Sequence, residues 1–109
     1  MNILRTTLEP CGFDPVTGYK RDGYCSYSAT DPGAHLVCAK VTREFLEFTK
    51  KQGNDLTRIV KPGDRWCLCV GRWIQAYKAG VAPPIIFEAT NSRVAQIVPL
   101  SILMAHRAR

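Results

Sequence analysis

The strongest constraint on how this chain can fold lies between Lys61 and Gly80. Trp66, Val70, Trp73 and Tyr77 recur at spacings of four, three and four, which sets two indoles, an aliphatic side chain and a phenol on one helical face. Lys61-Pro62-Gly63-Asp64 reads as a turn that delivers Asp64 as an N-cap, and Gly80 stands where a C-terminal cap is expected. A helix with this much aromatic surface must anchor the core. Cys67 and Cys69 fall at its start. On a strand, residues two apart share a face and could share a metal or a disulfide partner; on a helix they diverge by about 200°. The helical reading makes them two separate thiols.

A length of 109 residues and an apolar fraction of 46% suit one compact domain over residues 1–109, with a core that needs no disulfides. The formal charge of +6 sits mostly in the second half: residues 61–109 carry seven basic groups against Asp64 and Glu88. Such a balance suits a protein or anionic partner. Nucleic acid is not favoured, because no run of five basic residues occurs. The N-terminus has no apolar core of a signal or span, so a cytoplasmic protein is expected. Thiols there stay reduced, and five is an odd count, so Cys11, Cys25, Cys38, Cys67 and Cys69 read as free, buried, hydrophobe-like side chains.

Residues 8–34 are rich in turn signals, and Asp22-Gly23 between Tyr19-Lys20-Arg21 and Tyr24-Cys25-Ser26-Tyr27 predicts a short hairpin. His35–Val41 suits a buried strand or the lead into a helix capped by Thr42, with Val41 and Leu46 as its staple and Gly53-Asn54 at its end. Ile85–Ala89 reads as a strand, Thr90–Ile97 as a short helix, and Pro99 opens a last helix. The class is α+β: a loop-rich N-terminal third with a hairpin, then three or four helices packed with short strands.

Candidate chemistry is thin. Zinc needs four Cys or His ligands, for which Cys11, Cys25, His35, Cys38, Cys67 and Cys69 are the available set, without any Cys-x-x-Cys. A reactive thiol would be Cys67, third in a helix capped by Asp64, or Cys38 ahead of Thr42, because helix starts favour thiolates. Asp14, Asp22 and Asp31 sit at turns and are explained by Asx bonds, His106 by solvation near the chain end, and His35 by packing. Arg21, Arg65 and Arg72, with Tyr24 and Tyr27, form the candidate binding surface. No phosphate-binding glycine loop or serine-hydrolase elbow is present. The leading expectation is a non-enzymatic binding or accessory domain without a cofactor. The alternative is a thiol-dependent or metal-dependent protein, with zinc, redox or catalytic, and it requires at least three of the Cys/His side chains to converge.

Leu8-Glu9-Pro10-Cys11, Asp14-Pro15-Val16-Thr17-Gly18-Tyr19, Arg21-Asp22-Gly23-Tyr24-Cys25, Gly33-Ala34-His35-Leu36-Val37-Cys38 and Lys61-Pro62-Gly63-Asp64-Arg65-Trp66-Cys67-Leu68-Cys69 together resemble the domain-of-unknown-function family numbered 2237. Arg72-Trp73, Ala82-Pro83 and Glu88-Ala89-Thr90 extend the match over almost the whole chain. The resemblance implies a small soluble protein, largely bacterial, with no established activity. It also implies cysteines and a histidine at matching places, which favours their meeting in one site. Relatives carry a longer Pro-rich loop before Lys61; its shortening here implies a more open pocket and fits a subunit of a larger assembly.

Overall fold

The computed structural model describes residues 1–109. His35–Lys40 (β1) pairs antiparallel with Arg65–Cys69 (β2) in a two-stranded sheet. Around it lie three α-helices, Arg43–Lys51 (α1), Val70–Lys78 (α2) and Leu100–Ala105 (α3), and the 3-10 turns Phe87–Ala89 and Ser92–Gln96. The α+β class is as expected.

Strand alternation divides the interior into two layers. Val37 pairs with Leu68 and Ala39 with Trp66, and these face the main core with Phe45, Trp73, Ile85 and Leu103. Cys38 pairs with Cys67 on the opposite face, where Cys11, Cys25 and Ala89 complete a second, smaller cluster. Between His35 and Val37 the register slips by one residue, so that His35, and not Leu36, lies opposite Cys69. A one-residue slip moves a side chain to the other face. The bulge therefore brings His35 to the cysteine side of the sheet and leaves Leu36 in the main core.

α1 forms as its sequence dictates. The Thr42 hydroxyl accepts from Phe45 N at 3.1 Å, Val41 and Leu46 are both buried, and Gly53, with φ of 92°, turns the chain out of the helix. The other helix start differs from expectation. Trp66–Cys69 is strand, α2 begins only at Val70, and Asp64 caps no helix; its Oδ2 accepts from Lys61 N at 2.8 Å within the turn. The segment Arg65-Trp66-Cys67-Leu68-Cys69 satisfies a strand with both faces buried as well as a helical spacing, and pairing with β1 supplies backbone partners that local propensity cannot see. Cys67 thus has no helix dipole behind it.

Tyr19–Tyr27 contains no paired strands; Gly23 N donates to Thr17 O at 2.8 Å and Tyr24 N to Asp22 Oδ1 at 3.1 Å, which closes turns instead of a ladder. Ile85 makes only isolated bridges to Ala39 and Arg107, and Ser92–Gln96 is 3-10, with the Asn91 side chain accepting from Arg93 N. His106 is not solvated at a loose end. Its ring lies edge-on to Trp73 at 5.3 Å and its Nδ1 is 2.9 Å from Ile102 O. No helix is long and apolar enough to cross a membrane.

The cysteines give the largest correction. Cys11 is bonded to Cys38 and Cys25 to Cys67, with Cα separations of 5.7 and 5.4 Å. An odd count argues only that one thiol is left over, and that one is Cys69. Neither Cys38 nor Cys67, the two thiols singled out as nucleophiles, carries a free S–H here.

Candidate thiol site

The cysteine layer is assembled by buried polar side chains. Cys38 N donates to the Thr90 hydroxyl at 3.0 Å and Cys67 N to the Thr17 hydroxyl at 2.9 Å. The two residues therefore direct their N–H groups outward, away from each other, which brings their side chains together across the sheet. Cys11 N donates to Gly23 O at 2.7 Å and the Asn91 amide to Cys25 O at 3.2 Å, so the loop cysteines are pinned as firmly as the strand ones. The sulfurs of Cys11, Cys25 and Cys38 all lie within 4.8 Å of one another. Cys67 joins them through Cys25.

Cys69 continues the same strand face towards solvent and is half-buried. Its thiol donates to Gly33 O at 2.7 Å. Gly33 lies in the turn that begins at Asp31, whose carboxylate organises everything nearby: Oδ1 accepts from Gly33 N at 3.1 Å and lies 2.8 Å from His35 Nδ1, while Oδ2 accepts from His35 N at 2.9 Å. Because an ionised carboxylate only accepts, Nδ1 carries a ring proton, and in the neutral ring Nε2 is the nitrogen that keeps its lone pair. Tyr19 stacks on the imidazole, its centroid 6.1 Å away. A Cβ at Gly33 would lie 2.7 Å from His35 Cε1 and 3.2 Å from Cys69 Sγ, so the glycine is what lets imidazole and thiol occupy one corner.

Burial pushes the Asp31 carboxyl up, but bonds from the His35 backbone and ring, the charge of the ring and the Gly33 N–H outweigh it and hold the group below its ordinary range. A carboxyl depressed in the folded state contributes stability above its unfolded value, near 3.9, and loses it as pH falls through the folded one. Asp31→Asn should thus lose stability at neutral pH and flatten the acid limb below about pH 4. Denaturation midpoints from pH 2 to 7 check this; a variant and parent with parallel profiles would contradict it.

A cleft of about 180 Å³ opens beside this corner, lined by His35, Asn54, Leu56, Cys67, Cys69 and Arg72 among others. It is smaller than a typical cofactor pocket and suits a small reacting group. Arg72 donates to Gln52 O at 3.0 Å at its edge.

The sequence candidates are thus distributed unequally. Cys67, Cys69, His35 and Arg72 meet at one cleft, and Cys11, Cys25 and Cys38 lie in the layer beneath. Arg65 lines a different cleft with Glu9, Glu88 and Arg109, and Tyr24 a third. The Arg21 guanidinium lies 5.0 Å over Trp66, and Tyr27 is covered by Arg93 at 3.8 Å. Asp31 was read as a turn residue; it is that and the partner of His35. The signal was a carboxylate four residues ahead of a histidine across Pro32-Gly33. Asn54 is legible in the sequence only as the end of α1, and Leu56 not as a site residue. A model of the family described as an uncharacterized protein conserved in bacteria (DUF2237) matches residues 1–107 of the chain. None of the curated proteins matches.

Proposed function

The chain belongs to the DUF2237 family, whose description names no reaction, and from the site geometry we propose a thiol-dependent protein in which Cys69 is the nucleophile. The observation that carries this reading is that the Asp31–His35 pair and the one unbridged cysteine are opposite one another in the strand register and line the same cleft. His35 Nε2, the acceptor nitrogen of the tautomer that Asp31 selects, takes the Cys69 proton once the thiol turns from Gly33 O. The thiolate attacks one sulfur of a small disulfide and forms a mixed disulfide, and the imidazolium returns its proton to the departing thiolate. Arg72 favours substrates that carry a carboxylate near the reacting sulfur.

The test is peptide-resolved alkylation of native, unreduced protein and its reaction with oxidised glutathione. Cys69 is expected to be the labelled residue, and His35→Asn and Gly33→Ala to slow labelling by about 100-fold or more, the range of a positioned base. The glycine variant acts by wedging a methyl between imidazole and thiol. Equal rates in parent and both variants would refute the role of His35.

A second reading, an accessory subunit with a protein partner, is favoured by apolar groups left in solvent. Tyr77, Ile97 and Leu100 are 38%, 54% and 49% exposed, and Tyr77 and Ile97 flank an apolar cleft over Trp73. Concentration-dependent sedimentation of the pure chain and of its Ile97→Lys variant separates the two: self-association lost in the variant supports a docking face there.

A further inference from the structure

We propose that Cys11, Cys25, Cys38 and Cys67, when reduced, form a zinc tetrathiolate site, so that the same four residues hold either two disulfides or one metal ion. A zinc tetrathiolate has Zn–S bonds of about 2.3 Å, which places its sulfurs about 3.8 Å apart at the corners of a tetrahedron. Three of the four sulfurs already lie within 4.8 Å of one another, and the fourth is bonded to one of them. To reach that tetrahedron the bonded sulfurs must part, and Cys67, bonded to Cys25 and outside the group of three, must approach Cys11 and Cys38.

The anchors suit a structural metal. Cys38 and Cys67 are opposite one another on paired strands, and Cys11 and Cys25 are fixed by bonds from their own backbones to Gly23 and Asn91. All four are at most 1% exposed, and the remaining walls are Ala89 and Ile86. Four sulfur donors with no open position describe a closed site, not a catalytic one. His35 and Cys69 belong to the cleft above and are not ligands.

Each disulfide takes two electrons from the phosphine and two protons from water, whose oxygen leaves on the phosphine oxide. Binding of the divalent ion then displaces the four thiol protons. The metal replaces both covalent links with one four-way link, so the N-terminal loops stay attached to the sheet in either state. In a reducing compartment the zinc form is expected, and in an oxidising one the disulfides.

The experiment uses Cys69→Ser, which removes the cleft chemistry and leaves only these four thiols. The protein is reduced anaerobically with a phosphine, freed of excess reductant and titrated with Co²⁺, then Zn²⁺. One Co²⁺ per chain with the intense visible bands and sulfur charge-transfer absorption of a tetrahedral tetrathiolate, displaced by one Zn²⁺, is expected. Adding Cys38→Ser should weaken binding by at least about 100-fold, beyond the usual loss for an outer-shell partner, whereas adding His35→Ala should not change it. Refolding of a reduced, unfolded chain by one metal ion supports the site equally. No stoichiometric metal, whether the reduced chain is folded or unfolded, overturns it, as does dependence on His35.

Discussion

Removing the Cys25–Cys67 disulfide, by Cys25→Ala with Cys67→Ala in a Cys69→Ser background, is expected to lower stability by about 4 kcal/mol, the chain-entropy value for a link spanning 42 residues. The Cys11–Cys38 link spans 27 residues and should be worth about 3.5 kcal/mol on the same account. The loops interlock, since Cys25 lies inside the first and Cys38 inside the second. Once one link is made the other closes a chain already restricted, so losing both should cost less than the two separate losses combined. Even so, a domain of this size has only about 5–15 kcal/mol in total, and residues 1–34 contain no strand or helix of their own. Loss of both links without a metal should release those residues first. Denaturant midpoints of the single-link and double-link variants, with proteolysis to locate the opened segment, decide it; a change below about 1 kcal/mol for either link would mean that packing alone holds the loops.

What the sequence revealed was local, and what it concealed was pairing. Thr42, Val41 with Leu46, and Gly53 bound α1 because capping and stapling act within one turn of chain. Pro99 before α3 is legible for the same reason. The β2 strand was not, because Trp66 and Val70 are four apart and both fold inward, Trp66 from the strand and Val70 from the helix that follows it. A helical spacing is then satisfied without a helix. The disulfides were hidden for a related reason: Cys11 and Cys25 lie in loops with no periodicity, and only the β1–β2 register makes Cys38 and Cys67 neighbours. The site residues are legible, Asp31 only as a turn residue and Asn54 only as a helix end, but their grouping depends on a one-residue bulge at Leu36 that no propensity reports. That bulge separates a histidine facing the core from one facing a thiol.

The second large effect concerns the indole at the centre of the main core. Trp73→Ala should destabilise the chain by about 3–5 kcal/mol. The side chain is fully buried, its Nε1 donates to Pro83 O at 3.1 Å, and it stacks on Tyr77 at 5.8 Å with His106 edge-on. Truncation leaves a cavity, removes both ring contacts and strands a buried carbonyl, and these costs act together. Trp66→Ala should fall in the same range of about 3–5 kcal/mol, because that indole is 5% exposed and packs between the sheet and the core, with Arg21 above it. Tyr77→Ala provides the contrast: its ring is 38% exposed and should cost clearly less than Trp73. Equilibrium unfolding of the three variants in denaturant tests the order. Near-parental stability for both tryptophan variants would mean that the sheet and α2 do not share one core, and the layering that sets Cys69 and His35 at the surface would lose its basis.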